Sequence, residues 1–243
     1  MFPFLYDALF YYPVYNMLIA ATAVIPTHDV GLAIVAVTIL IRVITFPLMH
    51  RSVVMQRKMR ELEPRLQEIR TKHKANAQEQ GVQTMALYKE HGVNPFSSFG
   101  AILIQFPIII ALYQVVSKIA ITPAWLYVFT PVPLVLNTMF LGFVDITERS
   151  IVLAILAGVF QFFQAKYAMP DLPKLKEGDE RSFAGDFSRS LQTQTKYFLP
   201  IFIVFIGWTL PAAISLYYAA NSGIGLLHEL YVKRQAEKVT AIE

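Results

Sequence analysis

Apolar residues along this chain come in long blocks separated by short polar stretches, which predicts buried or lipid-facing helices rather than two-sided surface helices. A bilayer core of about 30 Å asks for roughly 20 apolar residues per helix. The first block, residues 30–50, lies between His28-Asp29 and His50-Arg51 and contains Arg42. A second, 97–118, follows Asn94-Pro95 and ends at Lys118; a third, 149–167, runs from Arg149 past Lys166. The stretch from Tyr197 to Leu227 carries no charge over 31 residues, too long for one comfortable span. Extended to Thr193 and Arg234, it holds two short helices, 195–209 and 211–232, hinged near Gly207-Trp208-Thr209-Leu210-Pro211. The expectation is an all-α polytopic membrane protein with five transmembrane helices.

Two further apolar stretches bear on that count. In 119–148, Pro123, Pro131 and Pro133 would leave a lipid-exposed helix with unpaired backbone groups, so the segment reads as an extracytoplasmic loop partly embedded at the surface. Residues 1–29 are rich in Tyr and Phe and contain Pro3 and Pro13. They lack the basic start of a signal peptide and the Arg-rich character of a transit peptide. An interfacial helix lying along the membrane is favoured there over a sixth span.

Composition removes the competing classes. Of 243 residues, 55% are apolar and only 16% charged, against roughly 25% charged in a soluble domain. The apolar fraction excludes disorder, and the absence of cysteine excludes a disulfide scaffold and thiolate chemistry. The net charge of +4 says little as a total. Its distribution says more: residues 1–30 and 119–148 contain no Lys or Arg, 50–96 contain nine, 169–196 five, and the tail after Val232 three. The positive-inside rule then puts the N-terminus outside and 51–96, 168–194 and the 233–243 tail in the cytoplasm, which requires an odd number of spans.

Within 51–96, Met55, Met59, Leu62, Leu66 and Ile69 recur at spacings of 4, 3, 4 and 3, a coiled-coil seam. After a polar break around Asn76 to Gly81, Val82, Met85 and Tyr88 follow at helical spacing, which predicts an antiparallel cytoplasmic helical hairpin. It reads either as a solvated hairpin that only fixes topology or as a mobile partner surface, with Met55, Met59, Leu62 and Met85 as contacts, since Met side chains adapt to varied surfaces.

Arg42 carries the sharpest chemical signal. It lies eight residues before His50, about 12 Å along a helix axis, too far to reach the cytoplasm fully. An Arg near a helix centre costs about 2.5–3.5 kcal/mol on insertion scales. No Asp or Glu lies in the interior of any predicted span, Glu229 standing at the end of the last, so the expectation is a water-filled cavity opening toward the cytoplasm. Thr38, Arg42 and Thr45 share one polar stripe. Other spans supply Gln105, Gln161, Gln164, Ser215, Tyr217, Tyr218, Asn221 and Ser222, each individually more typical of helix packing. The five histidines fall in loops or at span ends, and no metal cluster, phosphate-binding loop or dinucleotide fingerprint is present. No enzyme, cofactor or direct nucleic-acid binding is expected. A small-solute or anion transporter using Arg42 is the alternative, although the internal repeats typical of transporters are missing; a structural chaperone acting through the hairpin is a third.

The residues resemble the YidC membrane protein insertases and their mitochondrial and chloroplast relatives. Thr38-Ile39-Leu40-Ile41-Arg42 with Phe46-Pro47-Leu48 is similar to that family's first core helix with its groove arginine. Asn94-Pro95 through Ile104-Gln105-Phe106-Pro107-Ile108 and Ala111-Leu112-Tyr113 resembles the second, the most specific match. Phe140 to Asp145, Leu156-Ala157-Gly158, Lys196-Tyr197, Leu199-Pro200 and Leu210-Pro211 to Tyr218 follow in order. Ala101 stands where many relatives have Pro, and Asn221-Ser222 reverses their common Ser-Asn order. The resemblance implies a five-helix insertase core in the bacterial cytoplasmic (inner) membrane, with a hydrophilic groove closed to the outside. Arg42, Thr38, Thr45, Gln105, Tyr217, Tyr218, Asn221 and Ser222 become its candidate lining. Nascent membrane proteins are the implied clients, with the Sec translocon and the ribosome as further partners to test.

Overall fold

The computed structural model describes residues 2–73, 76–94, 97–168 and 194–240. Most of the predicted 168–194 loop and the last residues of the tail lie outside this set. Helix α1 (Phe2–Tyr6) continues through a π-helical turn (Asp7–Tyr11) into α2 (Tyr12–Val24). Then come α3 (Val30–Glu61), α4 (Glu63–Lys72), α5 (Ala77–Glu90) and α6 (Ser97–Ser117). A loop with a 3₁₀ turn (Pro123–Trp125) and the two-stranded ribbon β1 (Met139–Phe140) and β2 (Val144–Asp145) leads to α7 (Ile151–Ala168). A second π-helical turn (Gln194–Phe198) enters α8 (Leu199–Thr209), and α9 (Ala212–Thr240) closes the described chain.

Helix α3 starts where Asp29 caps it: one carboxylate oxygen accepts the Leu32 N–H at 3.0 Å and the other the Leu141 N–H at 2.8 Å. That carboxylate is almost fully buried, and the two backbone donors offset its desolvation. Along α3, Val30, Ala33, Ile34, Val37 and Thr38 form the buried stripe, while Ile39, Leu40, Val43, Ile44, Phe46 and Leu48 are exposed. Of the polar stripe, Thr38 is buried and Arg42 and Thr45 partly so; a helix that shows this many aliphatic side chains outward is unsuited to water but suited to lipid. Helices α7 (Ile151, Val152, Ile155, Leu156 and Val159 outward) and α8 (Ile201, Phe205 and Trp208 outward) likewise show large apolar side chains, over buried small and apolar residues: Ala154, Ala157 and Gly158 in α7, Pro200, Ile203 and Gly207 in α8. Two described helical segments, Val30–Met55 and Ile151–Ala168, are long and apolar enough to cross a membrane. α8 with its π-helical lead-in is shorter, roughly 24 Å at 1.5 Å per residue.

Helix α9 packs on α3, α7 and α8, α7 packs on α8, and α2 lies against α3 and α6. In lipid, close packing rather than apolar burial holds such helices together, so small residues sit at the crossings. Gly158 of α7 lies under Val204 and the Pro200 carbonyl of α8; Gly207 lies against Ala154 and Ser215. The main core joins Tyr15, Leu18 and Ile19 of α2 to Ile34 and Val37 of α3, Ile108 and Leu112 of α6, and Ile214 and Tyr217 of α9.

One end of the bundle is tied by backbone. Asn137 accepts from the Val30 N–H (2.9 Å) and donates to His28 (3.0 Å). The first N–H groups of α9 point into the loop before α7, Ala212 to the Glu148 carbonyl at 2.7 Å and Ala213 to that of Ile146 at 2.9 Å. Helix ends normally leave these donors unmade. Leu210 adopts an extended conformation before Pro211, which breaks α8 from α9.

At the other end, α4 and α5 meet around Leu62, Leu66, Leu87 and Val93, with Met55, Met59, Ile69 and Tyr88 against them. The break between the arms falls before Ala77 rather than extending to Gly81, because Asn76 caps α5 by accepting the Glu79 N–H at 3.1 Å. Consequently Val82 and Met85 face outward, and Leu87 rather than Met85 completes the seam.

Candidate functional site

A polar seam runs between α3, α6 and α9. Arg42, half-buried midway along α3, donates from Nε to Asn221 Oδ1 at 2.7 Å and from Nη2 to the Asn221 carbonyl at 2.8 Å. A neutral amide thus takes the guanidinium that the sequence expectation left to water. Thr38 and Thr45 donate to the carbonyls four residues back, Ile34 and Ile41, both at 2.7 Å. Their donors are satisfied within the helix, and their remaining lone pairs stay available to the seam. Gln105 Nε2 donates to the Tyr217 hydroxyl at 2.6 Å, tying α6 to α9.

These side chains, with Ile41, Met49 and Ile108, line a cavity of ≈ 10 Å³, room for about a single water. It is narrower than the water-filled cavity expected from the sequence, because Arg42 folds onto Asn221 and Gln105 reaches across to Tyr217. Of the eight predicted lining residues, Thr38, Arg42, Thr45, Gln105, Tyr217 and Asn221 come together here. Tyr218 is not in this lining and packs against Ala157 and Ile203 as well as the main core. Ser222 is fully buried and donates to Gln161 Oε1 of α7 at 2.8 Å.

Sequence reasoning missed two features of the seam. A Cβ on Gly225 would lie 2.8 Å from Gln164 Cδ and 3.2 Å from Arg42 Nη2, so only glycine lets both side chains cross α9 there. Two turns beyond Arg42, His50 Nδ1 of α3 and His228 Nε2 of α9 stand 3.2 Å apart, their rings stacked with Phe46 close to both. Both histidines were predicted at cytoplasmic span ends, which hinted at their meeting; nothing in the sequence marked Gly225. Among the described residues no three His, Asp or Glu side chains gather as a metal site would require.

Helices with outward aliphatic side chains, small residues at their crossings and one polar seam in an apolar bundle define a helical membrane protein. The particular family follows from comparison with known proteins: the model described as 60Kd inner membrane protein matches residues 22–239, and the chain belongs to that family, the YidC family. The membrane protein insertase YidC of Clostridium tetani is 30% identical over 216 residues, 89% of this chain and 87% of its own length. MisCA of Bacillus subtilis, also named a membrane protein insertase, is 32% identical over 227 residues, covering 90% of this chain and 76% of that one. In the longer YidC of Campylobacter jejuni, 27% identical over 204 residues, the match takes up 34% of the relative and 84% of this chain.

Proposed function

We propose that this chain is a non-enzymatic membrane protein insertase and chaperone, multi-pass in the bacterial cytoplasmic membrane, with five spans and its N-terminus outside. The observation that carries the reading is Arg42: a permanent cation midway along an apolar helix, whose hydrogen bonds among the described residues go to the amide and the carbonyl of Asn221. Hydrogen bonds to neutral acceptors leave its charge uncompensated. A carboxylate or polar segment of a nascent membrane protein entering along the seam would compete well for it.

In the proposed cycle, α6 moves away from α9 by parting the Gln105–Tyr217 bond and the cavity widens. The polar external segment of the client passes Thr38, Arg42 and Thr45, and its apolar helix slides out between the spans into lipid. Burial of the client's apolar surface, about 25 cal/mol per Å², drives the step. The seam lowers the barrier by replacing water partway across. The α4–α5 unit, with Met55, Met59 and Leu62 at its base and Met85 outward, is the surface offered to the client, the Sec translocon or the ribosome.

The test is insertion of a single-span client with an acidic external tail into vesicles holding the purified protein. Arg42→Ala should lower insertion strongly, Arg42→Lys less, and neutralising the client's acidic residues should erase the difference. Insertion unaffected by Arg42→Ala would sink the electrostatic part of the mechanism. Client-free anion flux that depends on Arg42 would move the assignment to a transporter.

A further inference from the structure

A second cavity, of ≈ 440 Å³, lies outside the seam, between the start of the N-terminal helix and the end of α6. Asp7, Tyr11 and Tyr12 come from one side, Gln114 and Lys118 from the other, and Trp125 closes it. We infer that this cavity binds the headgroup of a zwitterionic phospholipid, its phosphate toward Lys118 and its ammonium toward Asp7 and the aromatic wall.

Charge is the first argument. The cavity offers one cation and one anion, the complement of a group that carries both; an anionic headgroup would meet Asp7 unfavourably. Its aromatic wall is the second. Tyr11 and Trp125 stand edge to face, centroids 5.5 Å apart at 84°, and Tyr11 packs against Tyr12 at 5.7 Å and 67°. Electron-rich ring faces attract alkylammonium groups. The wall is also preorganised: Asn16 donates to the Trp125 carbonyl at 2.8 Å and accepts from the Tyr127 N–H at 2.7 Å, and Tyr15 packs on Trp125 at 5.8 Å and 86°.

Position supplies the third argument. Lys118 follows the last residue of α6, and Tyr6 hydrogen-bonds Gln114 one turn earlier (3.0 Å), so the cavity sits at the end of an apolar helix. Tyr, Trp and Lys gather at that depth, where headgroups lie. The inference rests on the interfacial reading of residues 1–29 and is independent of the insertion mechanism. A soluble phosphate ester shares the ligand chemistry, but only a lipid brings acyl chains along the neighbouring apolar helices, so the lipid is the assigned source.

Trp125 is one of two tryptophans, so a Trp208→Phe background isolates its emission. The detergent-solubilised protein is titrated with short-chain phosphatidylethanolamine, short-chain phosphatidylglycerol and acyl-free glycerophosphoethanolamine. Phosphatidylethanolamine should give a saturable shift in Trp125 emission at concentrations about three- to tenfold lower than either competitor. Asp7→Asn should abolish the preference over phosphatidylglycerol, Lys118→Gln should weaken both lipids, and Lys118→Arg should behave as the parent. Equal titration by the two lipids, indifference to Asp7→Asn, or equally tight acyl-free ligand would each overturn the assignment. None of these results touches the Arg42 insertion assay, so the two readings fail separately.

Discussion

Replacing Asn221 by Ala asks how much the Arg42 contact contributes. The structure assigns it two hydrogen bonds, one to the Asn221 side chain at 2.7 Å and one to its backbone carbonyl at 2.8 Å; the substitution removes only the first. A hydrogen bond to a charged group is worth about 1.5–3 kcal/mol in soluble proteins, whereas interhelical hydrogen bonds in membranes average about 0.6 and reach about 1.7 kcal/mol. The geometry is short and charge-assisted, so the upper membrane value applies, about 1–2 kcal/mol. At roughly 2–4 °C per kcal/mol for a chain of this size, the midpoint for thermal unfolding in detergent should fall by about 2–8 °C. A double-mutant cycle with Arg42→Ala isolates the pair: once Arg42 is gone, Asn221→Ala should cost little more. If the two substitutions were additive, the contact would contribute nothing, and the reasoning that Asn221 holds Arg42 would be refuted.

Three other outcomes follow from the same geometry. Gly225→Ala should displace the ends of the Gln164 and Arg42 side chains; the helix gain of about 1 kcal/mol for Ala over Gly offsets much of the crowding, so a thermal melt should move little while the Arg42–Asn221 coupling weakens. Because the chain lacks cysteine, His50→Cys with His228→Cys should crosslink efficiently through a short bifunctional thiol reagent, whereas His50→Cys with His91→Cys should not; gel mobility reads both. At Asp145 the Thr147 hydroxyl, its largest influence, with the Thr147 N–H and Thr138 adding to it, lowers the carboxyl below its ordinary value despite some desolvation. A depressed carboxyl contributes stability above its unfolded value, about 3.9, and loses it as pH falls through the folded value. Unfolding midpoints scanned through that acid range should therefore drop more steeply for the parent than for Asp145→Asn.

What the sequence made legible tracks what is local. The α3 stripe of Thr38, Arg42 and Thr45 follows from helical periodicity alone, and the break before α9 follows from Pro211, which has no N–H and restricts Leu210. Contacts between distant positions were not local and could not be read. Asn221 lies 179 residues from Arg42, so the guanidinium looked unpartnered and the cavity looked wide. Tyr217 and Tyr218 are adjacent, and only the rotation of α9 decides that Tyr217 reaches Gln105 while Tyr218 packs toward α7 and α8. Likewise the outward turn of Met85 depends on where Asn76 starts α5, a boundary of a few residues that changes which face is buried.

The backbone tie between the start of α9 and the loop before α7 has a consequence for energy conservation. With the Ala212 and Ala213 N–H groups spent on the Glu148 and Ile146 carbonyls and Ile146 fully buried, the start of α9 is pinned to the loop before α7. In the proposed insertase, a polar seam that ended short of this tie would be a cul-de-sac. It would accommodate a passing peptide while leaking neither protons nor sodium, so the voltage across the membrane would survive each insertion event.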